Sequence, residues 1–288
     1  MKKSSEINLR KFRQEGLKEI LDIMESVFNK IGVDFYYLIG AVARDIWFEK
    51  EKINSRTTRD IDFAILVSDI KQFESAKELL QQNHQFTSVK GNEFALVSPK
   101  GITIDLLPFG ALEANDGTAI DVIGLHNIKV NGFKEIAQTG IVEVHSEENT
   151  FNIATLPSII LLKFISYDDR PEHRQKDPAD IISIIQVFFD IESSVFFDTY
   201  FDLLERIDEG KDIIAARCIG RQLKEILDKN DELKKRISNI LNQHITAKDG
   251  NTFTEIMAQS SNRTIEHANA LLSEIALGIE DNTNSYRK

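Results

Sequence analysis

Three aspartates in apolar strands are the residues of this sequence best suited to chemistry. Asp60 and Asp62 flank Ile61 at the start of an apolar run, and Asp105 lies within a second run, Ile102–Leu107. Because alternate side chains of a strand point to the same face, we expect Asp60 and Asp62 to project together. Neighbouring carboxylates repel one another unless a cation lies between them, and oxygen-only ligands suit Mg²⁺ or Mn²⁺ rather than Zn²⁺. With Asp105 on the same face, the three acids would form a site for metal ions that bridge a phosphoryl group.

Each of these acids also has an ordinary structural interpretation. A lone Asp-x-Asp pair is common and usually marks a solvated strand end or a turn, and Arg44-Asp45 would then be an exposed helix turn. Gly40 favours the functional interpretation, because it ends the apolar run Phe35–Ile39 just before a short helical segment. Glycine lets the backbone approach a ligand closely, and a helix N-terminus favours phosphate.

The spacing of these residues resembles the nucleotidyltransferase fold superfamily, which includes the DNA polymerase beta-like and poly(A) polymerase-like enzymes. The residues that carry the resemblance are Gly40, Arg44-Asp45, Asp60-x-Asp62 and Asp105. Within that superfamily the chain is most similar to the bacterial AbiEii/AbiGii-toxin-like branch and its uncharacterised relatives.

The resemblance implies a role for each of these residues. Asp60 and Asp62 would hold Mg²⁺ or Mn²⁺ with the triphosphate of an NTP, and Asp105 would help to activate an acceptor hydroxyl. The segment containing Gly40, Ala41, Arg44 and Asp45 would bind the nucleotide. Ala41 departs from the family pattern, which has Gly or Ser at this position. Alanine offers the triphosphate only its backbone N–H, whereas a serine would add a hydroxyl.

The resemblance extends into the C-terminal half. Lys163 lies in an apolar helical segment, and Lys176-Asp177-x-x-Asp180 follows a short polar stretch. Asp177 and Asp180 are three residues apart and would share a helix face. The resemblance implies that Lys163, Lys176, Asp177 and Asp180 contact the nucleotide. The alternative is a lysine that extends its ammonium group to solvent beside a solvated helix start.

Basic residues concentrate in the same stretch of an otherwise acidic chain: Arg170, His173, Arg174 and Lys176. They would accept phosphate from a nucleotide or from an RNA acceptor, or they form an ordinary charged surface loop. Further on, Ala215, Ala216 and Gly220 would permit close helix packing. Arg217 and Arg221 would share one face of that helix, either as ion-pair partners or as a line of charge towards the cleft.

Hydrophobic periodicity divides the sequence near residue 150. The first part alternates strand-like runs with amphipathic helices, and the part from Thr155 onward is helical almost throughout. We therefore expect an α+β fold: a nucleotidyltransferase-like mixed-sheet domain with flanking helices over 1–154, then an all-helical domain over 155–288. Expected helices in the second part include 195–207 and 253–279, and a further strand is expected near 128–130.

Composition limits the class of partner. The chain has 288 residues, 35 Lys and Arg against 46 Asp and Glu, and a net charge of −11, which disfavours general binding to nucleic acid or anionic membranes. The lone Cys218 cannot form an internal disulfide, and no apolar run is long enough to span a bilayer. These features predict a cytoplasmic protein without membrane association.

The leading hypothesis is a metal-dependent nucleotidyltransferase that moves an NMP from an NTP to a hydroxyl acceptor. The acceptor would be tRNA or another RNA, a protein or a small molecule such as a cationic aminoglycoside, and the branch implies a toxin- or defence-related role with a cognate antitoxin. An enzyme resembling the CCA-adding class would need a long basic surface, which the net charge argues against. The alternative is a catalytically silent protein of the same fold that binds a nucleotide or a protein partner.

Overall fold

The structure is a computed structural model that describes residues 7–9, 16–53, 58, 60–110, 131–146, 149–246 and 251–282. The chain divides into two compact units, Met1–Thr155 and Leu156–Lys288. The first contains every described strand and the second contains helices, so the α+β class and the helical C-terminal body are confirmed. The strand expected near 128–130 lies outside the described residues.

The first unit is built on one sheet flanked by helices. Its strands are β1 (Ile7–Leu9), β2 (Tyr36–Ile39), β3 (Asp60–Val67), β4 (Thr87–Val89), β5 (Asn92–Val97), β6 (Thr103–Gly110), β7 (Ile141–Ser146) and β8 (Thr150–Ala154). Its helices are α1 (Leu17–Ile31), α2 (Gly40–Lys50), α3 (Ile70–His84) and α4 (Phe133–Thr139).

The described strands form a mixed sheet in the order β1-β7-β8-β2-β3-β6-β5-β4. At its centre, β3 pairs antiparallel with β2 and parallel with β6, so the strands that carry the three aspartates lie side by side. Most Ile, Leu and Phe residues of the central strands are buried, whereas Asp60 and Leu66 of β3 are exposed.

Helices hold these strands in place through predicted apolar faces. The α1 residues spaced three and four apart, from Leu17 to Phe28, are buried, which confirms the amphipathic pattern. Helix α3 is capped by Asp69, whose side chain accepts a hydrogen bond from the N–H of Gln72. Helix α2 is fixed by Trp47, whose indole Nε1 donates to the carbonyl oxygen of Ala154 at 2.9 Å.

The second unit is helical throughout its described residues. Its helices are α5 (Leu156–Asp169), α6 (Asp177–Ile191), α7 (Ser193–Asp198), a 3-10 helix (Phe201–Glu209), α8 (Lys211–Leu227), α9 (Asp231–Ile245), α10 (Thr252–Ser261) and α11 (Ile265–Glu280). In the described part of the chain, no helix combines the length and apolar character that crossing a bilayer requires.

Two of the expected helices are broken in the structure. The 195–207 prediction is wrong because α7 ends at Asp198 and the chain continues as the 3-10 helix. The 253–279 prediction merged α10 and α11, which are separated where Asn262 adopts a left-handed conformation with φ of 54°. Asn tolerates that conformation, and Thr264 then caps the next helix, so apolar periodicity alone did not reveal the break.

Helices α8 and α11 cross at two glycines, Gly220 and Gly278. A Cβ atom added to Gly220 would lie 2.2 Å from the carbonyl oxygen of Ile275, and one added to Gly278 would lie 2.4 Å from that of Arg217. The two backbones are therefore in direct contact, as the small residues around Gly220 predicted.

Candidate active site

Asp62 lies where the three central strands of the sheet meet. It is in register with Ile39, the last residue of β2, and with Asp105 on β6. Residues in register on parallel strands direct their side chains to the same face, so Asp62 and Asp105 are cross-strand neighbours. Asp60 is two residues earlier on β3, in register with Thr103, and shares that face because the side-chain period of a strand is two.

Gly40 provides the space that the Asp62 carboxylate fills. It is the first residue of α2 and has a φ of +67°, a conformation that glycine adopts without steric cost. A Cβ atom at position 40 would lie 2.1 Å from Oδ2 of Asp62. The carboxylate therefore lies against the backbone at the N-terminus of α2, where the helix dipole favours negative charge.

The three aspartates differ in their surroundings. Asp60 is exposed, and its backbone N–H donates to Oγ1 of Thr58 at 3.2 Å. Asp62 and Asp105 are half-buried, and Nδ2 of Asn92 lies 3.4 Å from Oδ1 of Asp105. Sequence analysis missed Asn92, which the pairing of β5 with β6 brings beside Asp105.

The donor set fits a hard divalent cation, because the oxygens of Asp62 and Asp105 are cross-strand neighbours and Asp60 shares their face. Among the described residues, however, no group of three His, Cys, Asp or Glu side chains is close enough to hold a metal ion. The three acids thus share one face of the sheet without forming a finished three-ligand site.

The first turns of α2 carry the other predicted residues of this segment. Ala41 is half-buried and Arg44 is buried, with Nε and Nη2 donating to Oδ1 of Asp45 at 3.0 and 2.8 Å. The guanidinium of Arg44 also lies over the ring of Phe48, 5.7 Å from its centroid. Arg44 and Asp45 therefore form a local ion pair beside the N-terminus of α2 rather than an exposed helix turn.

In the second unit, Lys163 joins α5 to α6. Its Nζ donates to Oδ1 of Asp177 at 2.9 Å and to Oδ2 of Asp180 at 2.6 Å, and all three side chains are buried or half-buried. The ammonium group therefore has two protein partners and does not extend to solvent. Oδ2 of Asp177 is buried without a hydrogen-bond partner, an arrangement that costs free energy unless a donor reaches it.

Lys176 belongs to the exposed stretch 170–176, which connects α5 to α6 and contains Arg170 and Arg174. The acids on either side of this stretch are already paired. Asp168 and Asp169 accept from Arg236, while Asp177 and Asp180 accept from Lys163. Within the stretch, the exposed Arg170, Arg174 and Lys176 outnumber the one exposed acid, Glu172, so it presents positive charge to solvent, in agreement with the expected basic patch.

Arg217 and Arg221 have a structural role. Arg221 is buried, donates to both oxygens of Asp202 and to Oδ2 of Asp281, and lies over the ring of Tyr200. Arg217 donates to Asp281 and Glu274. These contacts support the ion-pair interpretation of the two arginines.

Comparison with known proteins adds little to this geometry. No protein-family model matches the chain, and no curated protein matches it. Among solved structures, it is similar to the solution structure of the antibiotic-resistance factor ANT(2'')-Ia, which is described as having substrate-regulated conformation dynamics. The TM-score is 0.31 and the sequence identity 11%, over 53% of this chain and 72% of that chain. A likeness of this size carries no argument about activity, which has to be inferred from the site itself.

Proposed function

We propose that the chain is a metal-dependent nucleotidyltransferase that transfers an NMP from an NTP to a hydroxyl acceptor. The observation that carries the proposal is the register of Asp62 with Asp105 on adjacent parallel strands, with the Asp62 carboxylate lying against Gly40. Two neighbouring acids repel one another, and a cation bound between them would offset that repulsion. A helix begins at the same point, and its N-terminus favours a phosphate group.

In this proposal, residues of the chain bind and orient the NTP and accept a proton from the acceptor hydroxyl. The backbone at Gly40 and Ala41 would approach the triphosphate, and Asp105 would accept the proton of the acceptor hydroxyl. The hydroxyl oxygen then bonds to the α-phosphorus, the bond to the leaving oxygen breaks, and pyrophosphate is released. Positioning and charge neutralisation account for most of the rate enhancement in such reactions.

Mg²⁺ or Mn²⁺ would be held by Asp60 and Asp62 with Asp105, and would supply charge neutralisation for the triphosphate. Because Asp60 is exposed and the three acids are not gathered, we expect them to converge when the metal and the nucleotide bind together. We propose in addition, from the sequence resemblance, that Lys163, Lys176, Asp177 and Asp180 of the helical unit contact a nucleotide. A toxin-related role with a cognate antitoxin, and a cytoplasmic location, belong to the same proposal and rest on the sequence alone.

A second candidate is a silent protein of this fold that binds a nucleotide or a partner without turnover. Two observations favour it: Ala41 lacks a hydroxyl for the triphosphate, and the described acids do not form a three-ligand group. This candidate predicts NTP binding without release of pyrophosphate.

The test is label transfer from each α-³²P-labelled NTP with Mg²⁺ or Mn²⁺, using bulk tRNA, cell protein and aminoglycosides as separate acceptors. We expect labelled product in one acceptor class with the wild-type chain, and its loss in Asp62→Asn and Asp105→Asn. Asp34→Asn, which neutralises an exposed acid in the loop between α1 and β2, is the matched control and should retain activity. Transfer that persists in Asp62→Asn would refute the assigned site, and NTP binding without any transfer would favour the silent protein.

A further inference from the structure

The segment between α6 and α8 exposes large apolar side chains. Phe197, in α7, and Phe201, at the start of the 3-10 helix, are 60% and 63% exposed, and Ile207 is 38% exposed. Four chain steps span at most about 14 Å, so the two phenylalanines lie within that distance of one another. Single exposed apolar residues are ordinary, but several exposed large apolar side chains within one short segment are typical of an interaction surface.

The 3-10 helix separates its side chains into three rows, because residues three apart in such a helix are eclipsed. One row begins at Leu203, which is buried against the unit, and the other two rows are at least partly exposed. The apolar row consists of Phe201, Leu204 and Ile207, and the acidic row consists of Asp202, Glu205 and Asp208. A kink at Arg206 interrupts ideal geometry before the last residue of each row. The exposure of Ile207 and Asp208 shows that both rows still reach solvent.

Part of the negative charge on this surface is uncompensated. Asp202 of the acidic row is paired with Arg221, so the unpaired charge lies on other acids. Arg206 is the one basic residue between 192 and 210, and its guanidinium is already paired with Glu209 and Glu274. Asp198, Glu205 and Asp208 are exposed, and no ion pair to them is found in the described part of the chain. The surface therefore combines exposed aromatic rings with three carboxylates, Asp198, Glu205 and Asp208, that have no ion-pair partner among the described residues.

We propose that this surface, formed by α7 and the 3-10 helix, docks a cationic amphipathic helix of a partner protein. A helix with a stripe of Leu-type residues beside Lys or Arg would match both rows, with the apolar contact giving affinity and the charges giving orientation and rate. Anionic polymers and anionic membranes are repelled by the acidic row. A symmetric contact with a second copy would bring two acidic rows together, which also opposes binding.

The test uses the full chain and a fluorescein-labelled synthetic helix of about 18 residues, or five turns, with one Leu face flanked by Lys. Fluorescence anisotropy at ~50 mM and ~300 mM salt separates the apolar from the charged contribution. We expect saturable binding that weakens at high salt. Phe197→Ala/Phe201→Ala should weaken it at least ~10-fold at both salt concentrations, the size expected for central aromatic contacts.

A charge variant tests the acidic row separately. Asp198→Asn/Glu205→Gln/Asp208→Asn should weaken binding at ~50 mM salt and reduce its salt dependence. The matched control removes three exposed acids of the other unit: Glu74→Gln/Glu78→Gln/Glu93→Gln. It should bind like the wild-type chain.

Three outcomes would overturn the proposal. The first is that the charge variant of this surface and the matched control variant weaken peptide binding equally, which would indicate general attraction to an acidic protein. The second is unchanged affinity in the Phe197→Ala/Phe201→Ala variant. The third, measured by analytical ultracentrifugation, is a wild-type dimer that Phe197→Ala/Phe201→Ala converts to a monomer, since the occupant would then be a second copy of this chain.

Discussion

The residue at position 40 is restricted to glycine both by its backbone conformation and by the neighbouring carboxylate of Asp62. Its φ of +67° favours glycine, and its missing side chain leaves room for the Asp62 carboxylate. Both requirements arise at the first residue of α2, where a ligand phosphate would also be bound. One substitution therefore tests the backbone strain and the close contact together.

Gly40→Ala should lower the free energy of unfolding by about 1–3 kcal/mol, because alanine in the left-handed conformation is strained and its Cβ would contact Oδ2 of Asp62. In an Asp62→Ala background the carboxylate is gone and the Cβ of residue 62 would be 3.5 Å away, an ordinary contact. In that background, Gly40→Ala should lower the free energy of unfolding by less. Urea denaturation of the four proteins in this cycle measures the difference, and equal costs in the two backgrounds would contradict the contact.

His244 is a buried imidazole that should make stability depend on pH. It is stacked on Phe253 with ring centroids 4.3 Å apart, and its Nδ1 is buried without a hydrogen-bond partner. Burial lowers the pKa of His244 below its ordinary value of 6.5, while the Asn251 side chain and the Asp168 charge oppose the shift. The neutral form is thus favoured in the folded chain.

Because the folded-state pKa of His244 is the lower one, the unfolded chain binds the proton first as pH falls. The contribution of His244 to stability is therefore present above pH 6.5 and is lost as pH falls from 6.5 through the folded-state pKa. Thermal unfolding should show that the melting temperature falls less between about pH 7.5 and about pH 5 in His244→Gln than in the wild-type chain. Parallel declines would show that His244 does not titrate in this way.

At the residue scale, the sequence predicts positions better than contacts. The alternation around Ile61 places Asp60 and Asp62 on one strand face, and the apolar run around Asp105 predicts a second strand. The pairing of Lys163 with Asp177 and Asp180 was not predicted, because those residues lie on different helices whose packing local periodicity does not describe.

At the element scale, a glycine at the crossing of α8 and α11 distinguishes close packing from helix propensity. The two effects predict opposite changes in stability when the glycine is replaced by alanine. Gly220→Ala would stabilise an isolated helix by roughly 1 kcal/mol. Here the new Cβ would lie 2.2 Å from the Ile275 carbonyl oxygen, so backbone has to move. We expect a net loss of about 1–3 kcal/mol in the free energy of unfolding.

Chemical denaturation of Gly220→Ala measures this loss. A more stable variant would mean that the two helices are not in backbone contact. Glu266→Ala, at an exposed position of α11, is a control for the effect of introducing alanine into this helix pair and should change stability much less.

The bounds of the elements were predictable where capping and periodicity agree, as in α3 with its Asp69 cap. They were not predictable where an apolar pattern runs through a break. Asn262 interrupts the α10–α11 pattern, and Thr199 and Tyr200 leave helical geometry between α7 and the 3-10 helix. In both places a local backbone conformation, rather than hydrophobicity, decides where the helix ends.

At the scale of the whole molecule, an acidic chain of net charge −11 contains both an exposed basic stretch, 170–176, and the acidic surface of α7 and the 3-10 helix. Net charge agrees with the second and not with the first, where ion pairs with Arg236 and Lys163 offset two of the four negative charges that border the basic stretch. Local charge therefore follows from pairing in the fold. The sequence nevertheless identified the basic residues themselves.

The central claim is that the carboxylates beside Gly40 bind a divalent metal together with an NTP. The most direct test is calorimetric titration with the α,β-imido analogue of each NTP, with and without Mg²⁺, because it needs no acceptor. We predict metal-dependent binding to the wild-type chain and to Asp34→Asn, and affinity at least ~10-fold lower, or about 1.4 kcal/mol, in Asp62→Asn. Equal affinity in Asp62→Asn, or binding that does not depend on Mg²⁺, would contradict this assignment.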